Sequence, residues 1–367
     1  MLEEGKISTR QATFLMVNTI LATAILFLPA ISTRQALQDA WISTLITTGN
    51  GILISLLVVT LMRRFPRQTL VQYSEDIAGK VIGKIIGVGY IWFFLHINAI
   101  IVREFGDFLI AVFMPRTPLL VFNAMIVILA IMVVRSGLEP LGRLNEWIFI
   151  LNSLILIFIF ALTLREVSPA NFQPVLEGGI VPALRGAYTP TAWFGEIITL
   201  GIIFPFLTQP HRGYRIAIGA HLIVGAFLLM GAFITIGIFG PELVSRLKFP
   251  IMAAVRLISF GEFFERIESL VMVIWVGGVF VKISVFHYAT VMAAAHSFNL
   301  RDYRPLVIPL GILNVILSIH LFEGVTDLVE FLSITFPVYA LSTFELGIPA
   351  LLLLAALFQG KRGENNV

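Results

Sequence analysis

Residues 195–207 read GEIITLGIIFPFL, and residues 20–30 read ILATAILFLPA. Each stretch is interrupted in the same order: small or polar residues, then bulky apolar ones, then a proline, Pro205 or Pro29. Proline removes a backbone donor, and in a bilayer the freed groups must be satisfied locally, so each stretch reads as a membrane helix with a break. One lies near the start of the chain and the other just past its middle. Interrupted helices at corresponding points of two halves are a sequence mark of a carrier's substrate site.

The surrounding chain fits that reading. Of 367 residues, 58% are hydrophobic and 13% charged, and the mean hydropathy is +0.94. A soluble domain of this size needs more polar surface. The apolar runs are continuous, whereas a membrane β-barrel alternates. An all-α integral membrane protein follows. Ten spans are expected, at about 12–31, 40–62, 84–113, 118–135, 144–165, 188–209, 214–239, 266–296, 304–322 and 331–358. Each is near the roughly 20 residues a bilayer core requires, and the longest can tilt. They form one membrane domain, 1–367, with no loop large enough for a soluble domain. The first span contains Asn18 and Thr19 and leads into further spans without a clear cleavage site, so it reads as a retained helix.

With the N-terminus inside, fifteen Lys and Arg flank the spans on the inner side and eight on the outer. The positive-inside rule then places both termini in the cytoplasm. Ten spans divide into repeats of five, about 12–165 and 188–358. An odd number per repeat inverts the second, so the two interrupted spans become symmetry mates. The chain has no cysteine, which excludes disulfides, thiolate metal ligands and a cysteine nucleophile. No phosphate-binding loop, nucleophile elbow or metal-ligand spacing is present. Neither an enzyme nor a nucleic-acid partner is expected, and no cofactor or metal is implied.

Charges at mid-bilayer cost about 2.5–3.5 kcal/mol each on insertion scales and mark function. Arg103, Glu104 and Asp107 fall in the third span, Glu196 at the break of the sixth, Lys282 near the middle of the eighth and Glu345 near the middle of the tenth. Arg103 and Asp107 are four apart and can pair on one face; Glu104 points elsewhere and needs its own partner. Lys282 has no acidic residue within a turn, so any partner comes from another helix. It can exchange a proton or act as a fixed cation. Glu345 can pair with Lys282 or serve as a proton site. His96 and His287 lie within spans at no metal-ligand spacing and read as packing residues.

Several segments together resemble the spore germination permease family, the membrane B subunits of GerA-type germinant receptors. They are GKISTRQA (5–12), TLVQYSEDIAGKVIGKIIG (69–87), QPVLEGGIVPALRGA (173–187), FGE (194–196) and RLISFGEFFERIESL (256–270). That family is similar to the amino acid–polyamine–organocation transporters, whose LeuT-type fold is a five-plus-five inverted repeat with broken first and sixth helices. The resemblance implies an amino acid site between the first, third, sixth, eighth and tenth helices. It also implies a nutrient sensor in the spore inner membrane, acting with an A subunit and a lipoprotein C subunit. A sodium-independent or proton-coupled amino acid transporter, and a ligand-gated ion or water conduit, stand as alternatives. The family's first-helix break is glycine-rich, whereas here it reads Ala22-Thr23-Ala24, and Ala favours helix.

A half-helix beginning at a break offers free N–H groups and a positive dipole end to a carboxylate. Thr23, Ala24 and Ile25 are therefore expected to flank the ligand carboxylate. Carbonyls of Phe194, Gly195 and Glu196 are expected to receive its ammonium, with Thr199 and Gly201 in the same break. Trp92, Phe93, Trp193 and Phe194 are expected to bound the side-chain pocket. In sodium-coupled relatives of this fold the first and eighth helices share an ion site; Lys282 is expected to stand in for that ion, with Glu345 as a second coupling residue.

Overall fold

The computed structural model describes residues 3–257 and 267–363. The chain runs through α1 (Thr9–Ala36), α2 (Ala40–Arg64), α3 (Leu70–Ala78), α4 (Lys80–Val112), α5 (Leu119–Ser136), α6 (Leu138–Thr163), α7 (Val181–Gly195), α8 (Leu200–Ile203), α9 (Gly213–Phe239), α10 (Pro241–Val244), α11 (Pro250–Arg256), α12 (Ile267–Ser297), α13 (Arg304–His320), α14 (Val325–Glu330) and α15 (Gly347–Phe358). Of the family-like segment 256–270, residues 258–266 lie outside the described residues.

Among the described residues, seven helical stretches are long and apolar enough to cross a membrane, or eight with one bent pair counted as a span. The expected ten are not reproduced helix for helix, for three local reasons. α1 and α2 join through a single turn at Leu37–Asp39, giving one 56-residue stretch, Thr9–Arg64, long enough for two crossings. The sixth expected span is divided into α7, a 3-10 turn at Glu196–Thr199, α8 and a second 3-10 turn at Phe204–Phe206. α13 turns by 102° into the helix that begins with α14. Beyond α14 the backbone widens into π-helix over Phe331–Thr335 and Pro337–Glu345.

α1 contradicts the sequence expectation of a break: it is continuous from Thr9 to Ala36. Ser8 and Gln11 form a reciprocal capping box that starts it. Pro29 sits inside the helix, and the Thr33 hydroxyl donates to the Pro29 carbonyl at 2.6 Å. The segment around Thr23 has no glycine, and the two alanines hold it helical.

Four stretches are buried without interruption: 15–33 of α1, 93–109 of α4, 189–204 through the broken segment and 281–295 of α12. These form the core of the bundle and carry the intramembrane charges other than Glu345, which ends the π-helical segment. The outer helices leave large apolar side chains uncovered, among them Leu53, Met125, Trp147, Leu154 and Leu351, as a lipid-facing surface requires. A short N-terminal strap closes one end. Ile7 donates its N–H to the Phe206 carbonyl and accepts from Thr208 N–H, both at 3.0 Å. Glu3 accepts from the backbone of Gly5 and Leu138 and from the Tyr303 hydroxyl. Burial, with Glu3 adding to it, pushes that hydroxyl up to about 12.

Candidate functional site

The break at Glu196 sits where α7 approaches two other core elements. Lys282 reaches from α12 and donates to both oxygens of Glu196, at 2.8 and 2.7 Å, and to the Thr23 hydroxyl of α1 at 2.9 Å. Thr23 also accepts from Trp193 Nε1 at 3.1 Å. Lys282 and Thr23 are wholly buried, and Glu196 is 2% exposed. One ammonium therefore ties together the first, sixth and eighth structural segments in the buried interior. An ion pair removed from water in this way holds only when every donor finds an acceptor, which here it does.

Two more carboxylates flank the pair. Glu104 of α4 is the side-chain acceptor left to the Thr23 hydroxyl, and Lys282, Glu196 and Asp107 are its charged neighbours. Glu345 closes the π-helical segment beside Glu196 and Lys282. Its carboxylate lies where a Cβ on Gly195 would stand, so the close approach of the two segments requires glycine at 195. Tyr90 donates to the Phe344 carbonyl at 2.7 Å, and Phe93 stacks on Phe344 with centroids 4.6 Å apart, which fixes the residue before Glu345.

The expected site residues divide into those brought together and those that are not. Thr23, Trp193, Gly195, Glu196, Lys282 and Glu345 converge. Thr199 supports the turn from within, donating to the Glu196 carbonyl at 2.9 Å. Ala24 is buried within continuous helix, so neither it nor Thr23 offers the free N–H groups expected there. Ile25 faces away from the ion pair, lining an apolar cavity of about 50 Å³ with Leu21, Ala22, Phe149, Ile251 and Trp275. The Phe194 carbonyl lies 3.1 Å from His221 Nε2, so it and the Glu196 carbonyl already have partners. Gly201 packs toward Met62, Leu70 and Tyr73, and Trp92 is 47% exposed, stacked on His96. Both stand outside the cluster.

Arg103 and Asp107 pair at 2.8 Å, as the spacing predicts, and both are buried. Arg103 also donates to the carbonyls of Ser318, Ile319 and Phe322, compensating the end of α13. His287 lies between the Val307 carbonyl and the Asn314 amide, a packing arrangement. Two contributors were not singled out as site residues from sequence. His221, which also approaches Ser55 at 3.1 Å, braces Phe194. Glu104 joins the ion pair through Thr23; the signal was its position between two residues already able to pair with each other.

The sequence profile of a family described as spore germination protein matches residues 6–323. Spore germination protein KB of Bacillus subtilis (strain 168) is 28% identical, over 100% of this chain and 98% of its own length. Spore germination protein YndE of the same organism is 29% identical over 98% of each chain. Among solved structures, MHP1, a nucleobase-cation-symport-1 family transporter in a closed conformation with bromovinylhydantoin bound, superposes with a TM-score of 0.69 at 12% identity, covering 95% of this chain and 78% of that one. MhsT in complex with L-phenylalanine gives 0.66 at 15%, covering 95% and 89%. At these identities the likeness shows the fold, which is that of the LeuT-type transporters with their inverted repeat.

Proposed function

The chain belongs to the spore germination protein family, and on that premise we propose that it is the ligand-sensing, transporter-like membrane subunit of a germinant receptor. Its ligand in this reading is an amino acid. The observation that carries the reading is the buried contact of Lys282 with Glu196 and Thr23, which joins three core segments through one ion pair. A zwitterion can exchange with such a pair: its carboxylate takes the place of Glu196 on Lys282, and its ammonium takes the place of Lys282 on Glu196. Charge is conserved in the exchange, and the segments that Lys282 held together are released. A ligand that favours one arrangement of a two-state element is what a sensor requires. MhsT, which shares the fold, has been solved with L-phenylalanine, which supports an amino acid as the ligand class.

In the same reading the termini face the cytoplasm, the membrane is the spore inner membrane, and an A subunit and a lipoprotein C subunit read the change. The Lys282 ammonium stands between α1 and α12 as a fixed internal cation, so ligand binding is expected to be independent of sodium. A ligand affinity that rises with sodium concentration removes that role for Lys282.

The deciding experiment uses the purified full chain in liposomes. A thermal-shift screen across the amino acids identifies a ligand, and labelled ligand is then followed. Binding without uptake supports sensing. Saturable uptake replaces the sensor with a transporter, and ion flux that depends on ligand replaces it with a conduit.

A further inference from the structure

The donors around the ion pair can be counted. Lys282 has three N–H groups, and all are committed, two to Glu196 and one to Thr23. Thr23 accepts from Lys282 and from Trp193, which leaves its own hydrogen for Glu104. Among the described residues, Oε1 of Glu104 and both oxygens of Glu345 then have no donor. Glu104 is 2% exposed and Glu345 wholly buried, so bulk water does not supply one. The helical backbone consumes its own N–H groups. The nearby Arg103 is committed to Asp107 and to three carbonyls. Three carboxyl groups thus surround a single ammonium, and three of their oxygens lack a donor among the described residues.

A zwitterion does not relieve this shortage, because in the exchange its one ammonium is taken up by Glu196. A ligand with an ammonium to spare does relieve it, since that group supplies three further donors. Glu345 is the better placed acceptor. Both of its oxygens are empty, whereas Glu104 keeps the bond from Thr23. It also closes a π-helical stretch directly against Gly195, one residue from the ion pair's own carboxylate.

We propose that the ligand of this site carries at least one ammonium group in excess of its carboxylates, as a basic amino acid or an alkyl diamine does, and that Glu345 receives the excess group. The proposal rests on the reading that the ligand lodges at Thr23, Glu196 and Lys282, and it narrows the amino acids of that reading to cationic ones and adds their diamine analogues.

The test is binding to the purified full chain of four straight-chain probes that differ chiefly in charge: L-lysine, cadaverine, L-norleucine and hexanoate. L-lysine is expected to bind at least about tenfold more tightly than L-norleucine, the factor that one charge-assisted bond supplies. Cadaverine is expected to bind and hexanoate to fail. Glu345→Gln is expected to abolish the preference of L-lysine over L-norleucine, while Glu345→Asp retains it. L-norleucine binding as tightly as L-lysine, or a preference that survives Glu345→Gln, overturns the inference and leaves the proposed amino acid site standing. Should the variants fail to fold, cadaverine against n-pentylamine on the unmodified chain puts the same question, and equal binding gives the same negative answer. Failure of all four probes overturns the amine site itself.

Discussion

Around Glu196 the backbone tightens into a 3-10 turn between α7 and α8, whereas around Thr23 α1 passes through the core without interruption. The two regions touch: Trp193 donates to Thr23, and Lys282 bridges Thr23 to Glu196. One wall of the site is therefore a straight helix that contributes a side chain. The other contributes a side chain on a backbone already departing from α geometry, and a 3-10 stretch inside a helix often marks a hinge. The difference teaches where movement is stored. Release of Lys282 from Glu196 is expected to let the sixth segment shift against a stationary α1, not the reverse.

The hardest blow to that comparison is Lys282→Met, which removes the side chain that bonds to both Thr23 and Glu196. It leaves Glu196 buried without its partner, and truncating one half of a buried pair costs about 3–5 kcal/mol. Thermal unfolding of the purified protein should show that loss. The double variant Lys282→Met with Glu196→Met should recover most of it, because apolar replacement of both partners is near neutral. A single variant as stable as the parent shows that the pair does not clamp the walls.

Gly195→Ala comes next. Its Cβ would meet the Glu345 carboxylate and lie 2.9 Å from the Glu345 Cβ, so the π-helical segment must move away. Overpacking of this kind costs about 1–3 kcal/mol. Thr23→Val is smaller. It keeps the shape of α1 and removes an acceptor from Trp193 and Lys282, and interhelical hydrogen bonds within membranes average about 0.6 kcal/mol. Both are read by thermal unfolding. A Thr23→Val loss exceeding that of Gly195→Ala reverses the assignment of the pliable wall to the sixth segment.

The contrast between the walls also shows what the sequence could convey. The break at 195–199 was legible because glycine, glutamate and threonine interrupt an apolar run where no continuous helix gains from them. Lys282 was legible as inward-facing because no acidic residue lies within a turn of it. Its partner was not, since Glu196 is 86 residues away and three other buried or partly buried carboxylates competed for the assignment. Trp92 and Phe93 looked equivalent because α4 is apolar on all sides, so periodicity does not report which face meets the core. The structure turns Phe93 inward and leaves Trp92 exposed. The ten spans are not confirmed one by one, because 3-10 and π turns alter helix length, which hydropathy does not register.

The finest test lies in α1 itself. Ala22-Thr23-Ala24 occupies the position where a glycine-rich break is expected from the family resemblance, yet the helix is intact. Two accounts of that fact differ in outcome. If α1 is a permanent strut, Ala24→Gly weakens it by about 0.5–1 kcal/mol, the ordinary cost of glycine inside a helix, and ligand affinity falls or stays level. If α1 unwinds at Thr23 when ligand enters, the same substitution lowers the cost of unwinding and raises affinity while still lowering the stability of the ligand-free protein. Parallel measurement of unfolding temperature and ligand affinity separates the two. The continuous backbone through Thr23, and its side-chain bonds to Trp193 and Lys282, lead us to expect the first outcome: lower stability with no gain in affinity.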